Sequence, residues 1–177
     1  LQTNKVKYVL PLFDYIHSLD SLKLAEKISV EQEKKKFKPQ IFVQVNIGKE
    51  EQKNGVLVED LEEFLNSCKQ NYDLNIIGLM CLPPNDGNSY KYFSEMKKLN
   101  EKNGLKELSM GMSSDYLSAI KHGATFLRIG SKIFGNRNTC LLDHLEGFFK
   151  FYQFDRHRLL NLFIEILFFK KWHDQKK

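Results

Sequence analysis

The segment from Leu108 to Arg137, LSMGMSSDYLSAIKHGATFLRIGSKIFGNR, constrains the fold more than any other part of the chain. It reads as strand, tight turn, helix, strand, tight turn. Leu108 to Met112 is a short apolar run that ends in a glycine-containing turn. Ser113 or Ser114 is placed to cap a helix, with Asp115 in its first turn. Ala119, Ile120 and His122 carry that helix to Gly123, a residue suited to the left-handed position just past a helix end. Phe126 to Ile129 is a second apolar run, interrupted by Arg128, and Gly130-Ser131 follow at once. In a parallel α/β protein both turns lie at the same end of the sheet, the end where ligands bind.

Such a pair of turns suits an anion. Backbone N–H groups at a helix start point outward with the positive end of the helix dipole. Gly111 and Gly130 leave room for a phosphate to approach the main chain, and Ser113 and Ser131 add hydroxyl donors. The competing reading is two ordinary turns with ordinary caps. Arg128 favours a ligand. It lies within FLRIG, otherwise apolar enough for a buried strand, in a chain where only four of the 27 basic residues are arginine. A buried arginine needs a partner, because an unpaired buried charge is very costly. Its planar fork suits a carboxylate, a phosphate or a ring nitrogen. A structural arginine paired with an acidic neighbour is the alternative.

These residues carry a resemblance. LSMGMSSD followed by AIKHGATFLRIGSKIFGNR resembles the closing signature of the pyridoxal-5′-phosphate homeostasis protein family, which is similar to the N-terminal barrel of alanine racemase. LQTNK, IHSLDS, FVQVNIGKEEQKNGV and IIGLMCLPP agree in the same order, so the resemblance spans roughly Leu1 to Arg137. It implies an α/β fold, a TIM (β/α)8 barrel of the fold-type III class, holding pyridoxal 5′-phosphate (PLP) at the C-terminal face. It further implies Ser113, Gly130 and Ser131 on the phosphate, Gly111 and Met112 in the same cofactor-binding turn, and Arg128 facing the pyridine nitrogen. No catalytic residue and no metal ligand is expected.

One departure matters. Family members begin with a strand carrying the lysine that forms the Schiff base with the cofactor, and continue through two more strands before LQ-x-N-K. This chain opens at that point, so that lysine has no counterpart in it. About the last five βα units of the eight are expected, as a partial PLP-binding barrel over 1–137. A five-unit barrel leaves its first and last strands unpaired, which invites association with another chain.

Apolar content of 42% and charged content of 28% are those of a globular chain, not a disordered one. The net charge of +5 is modest and spread out, with no basic stripe interleaved with aromatics, so no nucleic-acid partner is expected. Cys68, Cys81 and Cys140 lack metal-type spacing, and an odd count argues against a disulfide framework. Reduced intracellular thiols fit a cytoplasmic protein, or a mitochondrial one if a targeting peptide precedes Leu1.

Taken in order, Leu1 to Leu12 reads as a helix on Val6, Val9 and Leu10, with Asn4 near the barrel mouth or at a helix cap. Tyr15 to Leu19 is a strand, and Asp20-Ser21 end it and cap the next helix, Leu22 to Glu33. His17, among apolar neighbours, reads as a satisfied core histidine. Ile41 to Ile47 is the clearest strand, placing Gln44 and Asn46 on one face, toward the barrel interior or its mouth. Gly48 to Gly55 is a polar loop whose charges, Glu50, Glu51 and Lys53, are solvated or shape cofactor access. Val58 to Tyr72 is a helix, Leu74 to Leu82 a strand in which Gly78 permits close packing, and Tyr90 to Asn103 a helix ending at Gly104.

Beyond Arg137 the composition turns aromatic. Residues 138–177 form a divergent tail that reads as two helices, either real structure or sequence the family does not use. The run Leu159 to Phe169 is too short to span a bilayer and contains Glu165, so no membrane span is expected. The functional expectation is a PLP-binding homeostasis or carrier protein without catalytic turnover, its partner a small-molecule cofactor, monomeric when full length. The alternative is an inactive fragment or interaction module of an alanine racemase-like barrel. Racemase activity is not expected, because the covalent lysine and any second β-domain are missing.

Overall fold

The computed structural model describes residues 1–135. The expected helices of the tail, with Arg137 and Cys140, lie outside the described residues. The first helix is three short pieces rather than one: a 3-10 turn at Thr3–Lys5, α1 (Val6–Val9) and a second 3-10 turn at Leu10–Leu12. Pro11 has no N–H to continue the α ladder, so the chain tightens around it. Val6 and Leu10 are still fully buried, which keeps the expected apolar face.

Strand and helix then alternate: β1 (Tyr15–Leu19), α2 (Leu22–Lys35), β2 (Gln40–Val45), α3 (Leu61–Tyr72), β3 (Ile76–Cys81), α4 (Ser89–Lys102), β4 (Glu107–Met112), α5 (Tyr116–Lys121), β5 (Phe126–Arg128) and α6 (Ser131–Phe134). The sheet runs β1-β2-β3-β4-β5 and every neighbouring pair is parallel. Among the described residues β1 and β5 are therefore its two edges. It is not flat. The rings of Tyr15 and His17 on β1 lie 5.1 Å and 5.3 Å from that of Phe126 on β5. Side chains from opposite edges meet only if the sheet curls into an open half barrel. The expected partial TIM-type architecture is what the chain adopts.

Alternation along each strand sorts the side chains. Ile16, Ile41, Val43, Leu79, Leu108 and Met110 join the aliphatic layer under the helices, with Leu24, Ile28, Leu61 and Phe93 opposite. The concave side takes Tyr15, His17, Phe42, Ser109 and Phe126. β3 and β4 approach closely at Gly78, where an added Cβ would stand 1.9 Å from the Glu107 carbonyl oxygen, as the sequence suggests for that glycine.

The start of α3 differs from expectation for a tertiary reason. α3 starts at Leu61, not Val58, because the preceding residues are held back against β2. The Val56 N–H donates to the Gln44 carbonyl at 2.8 Å, and its own carbonyl accepts from the Asn46 N–H at 2.9 Å. Ser21 does occupy the cap position of α2, yet its hydroxyl makes no capping bond. Gly123 behaves as read. It has φ +85, its N–H donates to the Ile120 carbonyl, and the Ala124 N–H donates to Ala119, both at 3.0 Å. That paired pattern closes α5 and sends the chain directly into β5.

Candidate ligand site at the mouth of the half barrel

Arg128, the last residue of β5, is half-buried on the concave side. Its Nη1 donates to Ser109 Oγ on β4 at 2.5 Å, and its Nη2 donates to the Cys81 carbonyl at the end of β3 at 2.7 Å. Both partners are neutral, so neither hydrogen bond cancels the guanidinium charge. Ser109 Oγ lies 2.8 Å from Nδ1 of His17 on β1. The imidazole is buried, stacks on Phe42 at 4.3 Å and meets Phe126 edge-on. Burial first, then the nearby Arg128 charge, push its pKa from 6.5 down to about 3. His17 is thus the satisfied core histidine the sequence suggests. Its partner lies 92 residues downstream.

The two strand-end turns also come together. Ser113 Oγ accepts from the Gly130 N–H at 3.1 Å and from the Lys132 N–H at 3.3 Å. One hydroxyl thereby joins the turn after β4 to the turn after β5 and still has its own proton to donate. These two amides are occupied by Ser113, which narrows the expectation of free backbone donors. α6 has only four residues, so its dipole is slight. Neither Ser113 nor Ser114 caps α5. The cap position belongs to Asp115, whose side chain instead accepts from the Met112 N–H at 2.7 Å. A carboxylate is the stronger acceptor for that amide, and it leaves Ser113 turned toward the second turn.

The two glycines play different parts. Gly111 has φ +95, and a Cβ there would meet the Ala119 Cβ at 2.5 Å, so its backbone and its contact with α5 both require glycine. At Gly130, beside the Ser113 hydroxyl, an added Cβ would meet nothing within 4 Å among the described residues. Ser131 is exposed next to it. Met112 is 44% exposed and pairs in register with Arg128 across β4 and β5. All six residues expected at the site therefore lie within the ends of two adjacent strands and the turns that follow them.

A third loop borders the mouth. Asn46 Nδ2 donates to the Glu50 carbonyl at 2.9 Å and to Lys53 at 3.3 Å, while its Oδ1 accepts from the Glu50 N–H at 3.1 Å. Gln44 donates to the Asn54 carbonyl at 2.8 Å. These two interior-face amides fasten the loop after β2. Lys53 pairs with Glu50 at 2.5 Å and donates to the Pro83 carbonyl at 3.2 Å, which anchors that loop to the end of β3. Of the expected loop charges, Glu50 and Lys53 are built in rather than free in solvent.

Sequence reasoning missed Ser109 and the Cys81 carbonyl. A hydroxyl inside the apolar run LSM was the available signal for the first; a main-chain carbonyl leaves none. Burial pushes the Cys68 and Cys81 thiols up to about 12, so both stay protonated at neutral pH. Among the described residues no His/Cys/Asp/Glu group could hold a metal, and no helix is long and apolar enough to cross a membrane.

Comparison with known proteins agrees with this fold. Residues 3–138 match the family described as alanine racemase, N-terminal domain. The pyridoxal phosphate homeostasis protein of Aquifex aeolicus is 38% identical over 146 residues, covering 77% of this chain and 64% of the relative. That of Synechocystis sp. is 40% identical over 147 residues, covering 77% and 67% respectively. The chain thus spans about two thirds of the length of these relatives. Among solved structures, PipY of Synechococcus elongatus without PLP superposes with a TM-score of 0.67 at 33% identity, covering 74% of this chain and 66% of PipY. The PLP-bound form of PipY gives 0.65 at 32% identity, covering 74% and 65%. With both sequence and fold in agreement over the barrel segment, the chain belongs to the pyridoxal phosphate homeostasis protein family.

Proposed function

We propose that this chain binds PLP non-covalently at the β4 and β5 turns and acts as a carrier in cofactor homeostasis, without catalytic turnover. The observation that carries the proposal is Ser113: its hydroxyl joins both turns beside Gly130, where an added Cβ would meet nothing within 4 Å among the described residues. Bound there, PLP supplies a reactive aldehyde on an electron-poor ring. The chain's own residues bind and orient it. Ser113 and Ser131 donate hydroxyl hydrogens to the phosphate, and Gly130 leaves it room. Gly111 and Met112 shape the turn, and Arg128 directs positive charge at the ring. The printed names of the relatives, and PipY with PLP bound, support the same ligand class. Among the described residues the amine in these turns is that of Lys132, which is exposed and lies beyond the end of β5 rather than on a strand. Racemisation of alanine by this chain is accordingly not expected. A cytoplasmic setting suits the two free, buried thiols among the described residues. We infer a monomer for the full-length protein.

A chain this rich in lysine condenses with PLP at random, so pyridoxamine 5′-phosphate, which lacks the aldehyde, is the cleaner probe. Equilibrium dialysis of the 177-residue chain should show saturable binding. Arg128→Ala and Ser113→Ala should each weaken it, by about tenfold for a lost hydrogen bond to a charged group. Unchanged affinity in both variants refutes the site. The edges β1 and β5, unpaired among the described residues, favour a second reading, an interaction module. That reading predicts concentration-dependent association and no saturable ligand binding.

A further inference from the structure

We propose that Ser109 and His17 are positioning residues for Arg128, forming a one-way hydrogen-bond chain that runs from the guanidinium through the serine hydroxyl to the imidazole. The inference deepens the proposed PLP site and rests on it.

The direction of the chain follows from what each group can do. A guanidinium only donates, so Ser109 Oγ is the acceptor in its 2.5 Å contact with Arg128. Ser109 is fully buried, and its hydroxyl proton needs an acceptor. Among the described residues, the atom within reach is His17 Nδ1, at 2.8 Å. His17 Nδ1 must then be the unprotonated nitrogen, with the ring proton on Nε2. Its low pKa keeps the ring neutral and the acceptor available. The imidazole cannot swing away, because Phe42 stacks on one side and Phe126 meets it edge-on.

Arg128 is the last residue of a three-residue strand at the sheet edge, where backbone pairing is weakest. Its side chain is nevertheless fixed at two points: the Cys81 carbonyl of β3, and Ser109, which is itself fixed by β1. The two contacts set where the guanidinium points.

The test is a mutant cycle on the full chain, read by equilibrium dialysis of pyridoxamine 5′-phosphate. Ser109→Ala and His17→Phe should each weaken binding by about tenfold, since each removes a link behind a charged donor. Neither should weaken it further when Arg128 is already alanine. The His17 ¹⁵N shifts should report an unprotonated Nδ1 in the wild-type chain and should move in Ser109→Ala. Phenylalanine keeps the ring stack, and Ser109→Cys is the second substitution should either variant fail to fold. If Arg128→Ala weakens binding while Ser109→Ala does not, the relay is overturned and the site stands. Equal losses in wild-type and Arg128→Ala backgrounds would also overturn it, because the effect would then be general packing. If Arg128→Ala binds as the wild type does, the site itself fails and the relay with it.

Discussion

Lowering the pH should destabilise this protein through one identifiable group. His17 is neutral and buried when folded, with a pKa near 3, and recovers an ordinary value near 6.5 when unfolded. The unfolded chain therefore binds one more proton than the folded chain between these two values. Stability contributed by the neutral ring is complete above pH 6.5, declines as pH falls, and is fully lost by about pH 3. Linkage puts the loss at about 2 kcal/mol by pH 5 and at most about 5 kcal/mol overall. Against a typical stability of about 5–15 kcal/mol, that is a large share. The assay is urea unfolding of the wild type and of His17→Phe from pH 7.5 to 4.5. Phenylalanine keeps the contacts with Phe42 and Phe126 but cannot titrate. All other ionisable groups are common to both proteins, so the gap between the curves isolates His17. It should change by about 1.4 kcal/mol per pH unit below pH 6. Parallel curves over that range would show that the imidazole does not remain neutral in the fold.

Two structural predictions follow from close contacts in the fold. Gly78→Ala places a methyl group 1.9 Å from the Glu107 carbonyl oxygen, so β3 and β4 must separate; the loss, read from the urea midpoint, should be at the upper end of about 1–3 kcal/mol. Asn46→Ala removes three hydrogen bonds to the loop after β2, and amide exchange should accelerate at Lys49 to Gly55 while α2 and α4 keep their protection.

Most of the fold was legible because its signals are local. β1 falls on the five residues its apolar run marks, Tyr15–Leu19. The α5 ending follows from the one residue type that takes φ +85 without strain. Errors arise where a distant partner overrides local preference. Residues just after Val56 have helical spacing, but main-chain bonds to Gln44 and Asn46 delay the helix to Leu61. Asp115 displaces the serines as the cap because the Met112 amide comes within its reach. At the site, the two turns and Arg128 were readable as an unusual combination: small hydroxyl residues after successive strands, with one arginine in an apolar run. Their connections were not. Nothing local in LSM announces that Ser109 will sit between a guanidinium and an imidazole drawn from opposite sheet edges.

That span across the interior ties the five strands to one another on their concave side. In a closed barrel, layers of inward side chains fix the mouth from all sides. Here His17, Phe42 and Phe126 form an aromatic layer from edge to edge, with ring centroids 4.3 to 5.3 Å apart. Directly beside it, polar contacts connect β1 to β4, β4 to β5, and β5 to β3. The turns carrying Ser113 and Ser131 are the immediate continuations of β4 and β5. Among the described residues, their relative position is tied to these cross-strand contacts and to the Ser113 hydroxyl that joins the two turns.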